Sequence, residues 1–118
     1  MNNDKPIFIQ IMEMIEDDII LGTYHPDDII ISTTQISKLL NVNPTTSVKA
    51  VSKLTDEGIL YKKRGIGMCV TNDAKAIILA RRKKNFINEA VPELVSEAEK
   101  LNISEDELIE IIRRIKND

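Results

Sequence analysis

The segment NPTTSVKAV combines residues that start a helix with short polar side chains. Asn43 suits an N-cap, whose side chain accepts a backbone N–H bond, and Pro44 suits the first helical position. Thr45, Thr46 and Ser47 follow, although serine and threonine are only middling helix formers. Hydroxyl groups at a helix N-terminus can bond phosphates or base edges. The segment therefore predicts a polar helix tip that approaches a ligand closely.

A helical wheel of about 100° per residue divides this helix into two sides. The side predicted to face the core holds Ser47, Val48, Ala50, Val51 and Leu54. The opposite side holds Thr45, Thr46, Lys49, Ser52 and Lys53. Lysines one and two turns beyond the hydroxyl groups can neutralise phosphate. From this helix alone, a simple solvent-facing side remains the alternative.

The stretch YKKRGIGM predicts a basic hairpin arm with a glycine-containing tip. Lys62, Lys63 and Arg64 are consecutive, so neighbouring side chains point to opposite faces of a strand. Basic side chains on both faces can contact phosphates only if the arm itself lies against a polyanion such as DNA. Gly65 and Gly67 would permit close approach, with Arg64 a candidate for the minor groove. A solvated hairpin with ordinary turn glycines is the alternative.

Catalytic chemistry has little support in the sequence. His25 is the single histidine, and it lies in a turn far along the chain from Cys69, the single cysteine. These residues suggest neither a metal cluster nor a pair of nucleophile and base. Cys69 is predicted to be a small buried strand residue. We therefore expect no enzyme activity, no metal and no cofactor.

The distribution of charge is more informative than its total. The 118-residue chain has a formal net charge of −3. Residues 49–84 hold ten Lys or Arg against three Asp or Glu, a net of +7, while residues 1–48 and 85–118 each carry −5. The basic block predicts a localised surface for a polyanion. Because no apolar run reaches about 20 residues and the N-terminus lacks signal-peptide features, we expect a cytoplasmic protein.

Apolar periodicity and capping signals predict three helices before the hairpin. The first runs from Pro6 to Leu21, and the second from Thr33 to about Asn41, with Ser32 and Gln35 spaced as a capping box. The third runs from Pro44 to Gly58. The second helix is predicted to bury Ile36, Leu39 and Leu40. Short strands at 59–61 and 68–70 then form the hairpin.

Helical patterns fill the rest of the chain. A long stretch over 74–101 contains Pro92, which should kink or split it. Its apolar seam, suited to packing on another helix, consists of Ile87, Val91, Leu94, Ala98 and Leu101. Ser104 and Glu107 have the spacing of a second capping box. The helix that follows is predicted to bury Leu108, Ile111, Ile112 and Ile115.

Two adjacent helices followed by a basic hairpin are typical of a winged helix-turn-helix, whose second helix enters the major groove of DNA. The predicted fold is mainly α with a small β-hairpin. Residues 1–71 are predicted to form this DNA-binding domain, and residues 72–118 a two-helix tail. The competing hypothesis is a helical protein-interaction module or antirepressor that does not bind DNA.

The chain resembles the GntR family of bacterial transcription regulators, and specifically its short YtrA-like subfamily. The matching stretches are KPIFIQIMEMIEDDIILGTY in the opening helix, NPTTSVKAVSKLTDEGIL in the recognition helix and KKRGIGMCV in the wing. The resemblance implies that residues 72–118 form a two-helix dimerisation tail. It also implies a homodimeric repressor that binds an inverted repeat of double-stranded DNA, often in operons that encode ABC transporters and in its own. No effector ligand is identified by the sequence. The implied DNA contacts are Asn43, Thr45, Thr46, Lys49 and Gly65.

The chain also departs from the family pattern. Many relatives carry Leu-Pro-Ser-x-Arg before the second helix, with the arginine on DNA. Here the stretch IISTT keeps Ser32 and has Thr34 in the place of that arginine, and both residues are predicted DNA contacts. Pro44 and Val48 stand where longer relatives carry arginines. These substitutions imply a reading surface based on hydroxyl groups and lysine rather than on arginine.

Overall fold

The computed structural model describes residues 4–118. The fold is mainly α with one antiparallel hairpin, as predicted. The helices are α1 Ile7–Ile20, α2 Thr33–Leu40, α3 Pro44–Asp56, α4 Ala74–Asn85, α5 Val91–Lys100 and α6 Glu105–Lys116. The strands are β1 Leu60–Lys63 and β2 Gly67–Val70. Within the described residues, no helix is both long and apolar enough to span a bilayer.

The chain divides into a first unit that ends at Ala80 and a second unit, Arg81–Asp118. The first unit contains α1 to α3, the hairpin and the start of α4. Its fully buried side chains include Ile11, Ile15, Ile36, Leu54, Ile59 and Ile78. Because Ile78 belongs to this core, the first turns of α4 pack with the helix-turn-helix. The predicted domain division after residue 71 stays a prediction.

Helix α1 is amphipathic, and its apolar side supports α3. Ile11, Ile15 and Ile19 recur every four residues and are buried. Residues four apart lie on one face of a helix, so their side chains form one continuous stripe. This stripe belongs to the core that also holds Leu54 of α3.

Helix α2 begins at the predicted capping box. The Gln35 N–H donates to Ser32 Oγ over 3.1 Å, and the Ser32 N–H donates to Gln35 Oε1 over 2.9 Å. The prediction that Leu39 is buried is wrong, since this side chain is 71% exposed. The helix has only eight residues, and its buried side is confined to Ile36 and Ser37. Leu39 lies beyond that side and meets solvent.

The hairpin is extended by a third segment at its base. Strands β1 and β2 pair in the register Leu60↔Val70 to Lys63↔Gly67. On the other edge of β2, the Ile30 N–H donates to the Met68 carbonyl over 2.9 Å, and the Val70 N–H donates to the Asp28 carbonyl over 3.0 Å. The chain between α1 and α2 therefore braces the base of the hairpin.

The predicted interruption at Pro92 occurs through a π-helical segment, Phe86–Ala90, between α4 and α5. Proline lacks an N–H, and its ring clashes with the carbonyl of the residue four before it in a regular α-helix. Here the Val91 N–H bonds to the Phe86 carbonyl, five residues earlier. The wider turn accommodates the proline without ending the helical path.

Helix α6 starts where its cap predicts, but its apolar side is less buried than expected. Ser104 Oγ accepts from the Glu107 N–H over 3.1 Å. Leu108 and Ile111 are half-buried, whereas Ile112 and Ile115 are 43% and 68% exposed, so their predicted burial is wrong. The 38-residue second unit covers only part of the apolar stripe of α6.

Candidate nucleic-acid interface

The N-terminus of α3 is organised by Asn43. Its Oδ1 accepts from the Thr45 N–H over 3.0 Å and from Thr45 Oγ1 over 2.8 Å, while Pro44 occupies the first turn. Both bonds end on the same oxygen, so the amide N–H groups of Asn43 stay available as donors. The helix N-terminus adds partial positive charge, while the backbone N–H groups of Thr45, Thr46 and Ser47 bond to Asn43 within the first turn. This tip can receive an anion or an acceptor on a base.

The polar side of α3 beyond this tip faces solvent, as the wheel predicts. Thr45, Lys49 and Lys53 are exposed and Thr46 is half-buried. The ammonium of Lys49 lies 4.1 Å from the centroid of the Phe8 ring, and that of Lys53 lies 5.9 Å from it. A cation over an aromatic face is attracted by the ring quadrupole. The ring of α1 thus holds two lysines of α3 on one surface.

Phe8 is a member of this surface that the sequence reasoning missed. Phe8 lies four residues before Met12 on the apolar side of α1, and its half-buried side chain packs against the core. The apolar pattern along α1 indicated no partner for its ring on another helix. Ile7, Phe8, Thr45, Thr46 and Lys49 line one surface groove. The contact between Phe8 and Lys49 joins two helices, so the spacing of residues along α1 gave no signal for it.

The buried side of α3 differs from the wheel at one position. Ser47 is fully buried, as predicted, and its Oγ lies 2.8 Å from Ser37 Oγ of α2. Ala50, Val51 and Leu54 are also buried. The prediction that Val48 faces the core is wrong, because its side chain is 53% exposed. Val48 lies at the edge of the apolar arc, next to the exposed residues.

The start of α2 lies beside the start of α3. Ser32 and Thr34 are both exposed. The Ser32 hydroxyl is engaged in the capping box, so its oxygen is shared with the Gln35 N–H. Thr34 lines a groove together with Lys38 and Pro44. Of these two predicted contacts, only Ser32 uses its hydroxyl group in the helix cap, and Thr34 does not.

The hairpin presents its basic residues to solvent. Lys62 pairs with Met68 and Lys63 with Gly67, and both lysines and Arg64 are exposed. The Ile66 N–H donates to the Lys63 carbonyl over 2.9 Å, which closes the tip as a tight turn. Gly65 has a φ of +77°, as the third position of a type II turn requires, and open space surrounds it. The tip can therefore approach a narrow groove closely.

A second hydrogen bond secures the base of the hairpin. Tyr61 Oη donates to Asp27 Oδ1 over 2.7 Å, which links β1 to the segment that pairs with β2. The bond to the Asp27 carboxylate, together with desolvation, raises the pKa of Tyr61 to about 12. The phenol therefore remains a donor at neutral pH. This contact ties the basic arm to the chain that leads into α2.

The predicted dimerisation seam is largely open in the single chain. Ile87, Leu94 and Leu101 are exposed, Val91 is half-buried and Ala98 is buried. The seam residues lie in the second unit, on the π-helical segment, on α5 and at its end.

Groups for catalysis are not assembled around these surfaces. His25 is exposed in its turn, and Cys69 is a free thiol buried in β2. In residues 4–118, no three His, Cys, Asp or Glu side chains are grouped to hold a metal ion. What the first unit does assemble is a cap, hydroxyl groups and lysines on α3, and a basic arm.

Comparisons with known proteins agree with this description. A GntR-family transcriptional regulator from Listeria monocytogenes has 31% sequence identity and a TM-score of 0.75, covering 97% of this chain and 98% of that chain. The HTH-type transcriptional repressor YtrA of Bacillus subtilis is 29% identical over 98% of this chain and 88% of its own length. AraR(DBD), solved in complex with operator ORR3, has 30% identity and a TM-score of 0.54 over 56% of this chain and 80% of that chain. No family model matches the chain.

The most extensive of these similarities cover almost the whole of both chains, so they include the helix-turn-helix, the hairpin and the helices that follow. The relatives are transcriptional regulators and not enzymes, in agreement with the absence of catalytic groups predicted from the sequence. The chain belongs to the GntR family of transcriptional regulators, and it is similar to YtrA.

Proposed function

We propose that this protein is a homodimeric repressor that binds an inverted-repeat DNA operator. The observation that carries the proposal is the polar tip of α3, where a cap, hydroxyl groups and ring-supported lysines share one exposed surface. The name of YtrA as a repressor and the operator complex of AraR(DBD) support the same activity.

In this proposal α3 enters the major groove, which is wide enough for one helix. The amide of Asn43 and the hydroxyl groups of Thr45 and Thr46 meet base edges or phosphates at the front of the helix. Lys49 and Lys53 lie one and two turns further on, where they neutralise phosphates. Thr34 contributes a further hydroxyl contact from α2, and Ser32 a contact through its capping oxygen.

The hairpin supplies a second contact with the same duplex. Gly65 lets the tip approach the sugar-phosphate wall, and Arg64 enters the adjacent minor groove, where negative potential is strongest in narrow A·T-rich stretches. Lys62 and Lys63 lie on opposite faces of the arm, so each meets phosphate if the arm lies within a groove. The basic block of residues 49–84 contains both this arm and most of α3.

Two copies of the chain are required to read an inverted repeat. We propose that the seam of Ile87, Val91, Leu94, Ala98 and Leu101 pairs with a second copy and sets the spacing of two α3 helices. Helix-turn-helix dimers read half-sites about 10 base pairs apart or a multiple of that distance. The resemblance to YtrA-like regulators suggests its own operon, with ABC transporter genes, as a target. Because that operator is chromosomal DNA, the proposed location is the cytoplasm.

Fluorescence anisotropy with a labelled duplex from the promoter of its own operon tests the proposal. We expect tighter binding to this duplex than to a shuffled duplex of equal composition. Because bound lysines and arginines release counterions, log affinity should fall steeply and linearly with log salt concentration. An affinity that depends neither on the DNA sequence nor on the salt concentration would contradict the proposal. A stable dimer with no DNA binding would favour the protein-interaction module or antirepressor.

A further inference from the structure

Val48 is an apolar side chain within the exposed surface of α3. It is 53% exposed, and the residues four before and four after it, Pro44 and Ser52, are exposed as well. One shallow groove is lined by Pro44, Thr45, Val48, Lys49, Ser52, Lys53 and Asp56. Valine is a middling helix former, and half of its surface stays in water here. The residue therefore contributes little to the folding of α3.

The neighbours of Val48 are held in place in the free protein. Thr45 donates its hydroxyl proton to Asn43, and the Lys49 ammonium lies over the Phe8 ring. Valine itself is stiff because its branched Cβ restricts χ1. Val48 is thus a fixed pair of methyl groups, flanked by fixed polar groups, on the face of α3 that is proposed to enter the major groove.

The major groove offers one apolar group that such a side chain can contact. Among the four bases only thymine carries a C5-methyl group at the groove edge, and apolar side chains pack against it. We propose that Val48 reads a thymine in each operator half-site by packing its γ-methyl groups on that C5-methyl. The inference rests on the proposed function and adds a base preference to it.

Deoxyuridine substitution tests the contact directly, since deoxyuridine lacks only the methyl group. Selection from a random duplex pool with the full chain first defines the bound sequence. Each thymine of that duplex is then replaced in turn by deoxyuridine. We expect one position per half-site at which replacement weakens wild-type binding about fourfold, as for one buried methyl-sized group. Val48→Ala should bind the thymine and deoxyuridine duplexes equally at that position.

Lys53→Ala is the matched control on the same helix. Loss of a phosphate contact should weaken binding to both duplexes by the same factor and leave the thymine preference intact. Circular dichroism checks that Val48→Ala folds, which its higher helix propensity favours.

The possible outcomes separate the two ideas. A selected half-site without thymine, a wild-type profile without a sensitive position, or a Val48→Ala variant that keeps the wild-type ratio overturns the thymine contact. Sequence-selective binding in those cases still upholds the proposed function. If the wild-type chain selects no sequence, both are overturned.

Discussion

At the scale of single residues, two buried hydroxyl groups join the helices of the helix-turn-helix. Ser37 Oγ and Ser47 Oγ lie 2.8 Å apart and are buried between α2 and α3. Ser47→Ala should lower the free energy of unfolding by about 1–3 kcal/mol, because it leaves the Ser37 hydroxyl buried without a partner. Urea denaturation measures the change.

The double variant gives the control for this pair. Replacing both serines by alanine removes the unsatisfied hydroxyl, so the double variant should lose less stability than the two single losses added together. Strictly additive losses would contradict an energetic coupling between the two hydroxyl groups.

Lys49 provides a residue-scale test of the interface. Lys49→Ala should weaken operator binding and reduce the slope of log affinity against log salt by about 0.9, the share of one phosphate contact. Anisotropy titrations at several salt concentrations measure both effects. Lys116→Ala, an exposed lysine at the end of α6, is the control and should change neither. An unchanged isotherm for Lys49→Ala would place the interface elsewhere.

Contacts between near neighbours could be predicted from the sequence, and contacts between distant residues could not. The caps at Ser32, Asn43 and Ser104 involve residues two or three apart, so their spacing alone indicates them. A helical wheel shows on which side of a helix a side chain lies but not whether another element covers that side. For this reason the predicted burial of Leu39 and Val48 was wrong. The contact between Phe8 and Lys49 joins two helices and leaves no local signature.

At the scale of elements, the hairpin depends on the segment between α1 and α2. The pKa of Tyr61 is raised from 10.0 to about 12, chiefly by its hydrogen bond to Asp27, so folding favours the neutral phenol. This stabilisation is complete below about pH 10 and is lost as the pH rises through about 12. Wild type should therefore be more stable than Tyr61→Phe at neutral pH, and the difference should shrink over that window.

Urea unfolding of wild type and Tyr61→Phe at a series of pH values tests this expectation. The difference between their phenolate absorbance titrations identifies the transition of Tyr61. A stability difference that stays constant across the alkaline window would show that the bond to Asp27 does not couple to folding.

The helices show which features of secondary structure a local sequence pattern can predict. Pro92 predicted an interruption, and its position was correct, but only the structure shows that a π-helical segment absorbs it. The order of helices and strands was predictable because each has its own periodicity and end signals. The third segment of the sheet was not predictable, because the isolated pairing Ile29↔Cys69 is too short to show a periodic pattern in the sequence.

At the scale of the whole molecule, the charge distribution orients the chain toward DNA. The basic block of residues 49–84 contains most of α3 and the hairpin, whereas the two flanking blocks are acidic. A phosphate backbone attracts basic side chains, so the basic block favours contact with DNA through α3 and the hairpin. A total of −3 is thus compatible with a DNA-binding regulator because the positive charge is concentrated.

The second unit leaves a large part of its apolar surface open. Exposed apolar side chains there are Phe86, Ile87, Leu94, Val95, Leu101, Ile109, Ile112 and Ile115. Large exposed apolar patches in soluble proteins often mark interaction sites, which agrees with the proposed dimer interface in this unit. The sequence correctly indicates an apolar face on α6. The prediction that Ile112 and Ile115 are buried was wrong because the sequence does not indicate which chain covers that face.

A charge within the predicted seam tests whether a second copy covers it. Leu94 is 48% exposed in the single chain. Leu94→Glu would place a carboxylate inside the proposed dimer interface, where desolvation and repulsion from its symmetry mate destabilise the pair. Sedimentation should show a monomer, and operator affinity should fall by at least about 100-fold, since the second half-site no longer binds within the same complex. Leu21→Glu, at an exposed leucine of the first unit, should remain a dimer, and a Leu94→Glu variant that sediments like wild type would refute the seam.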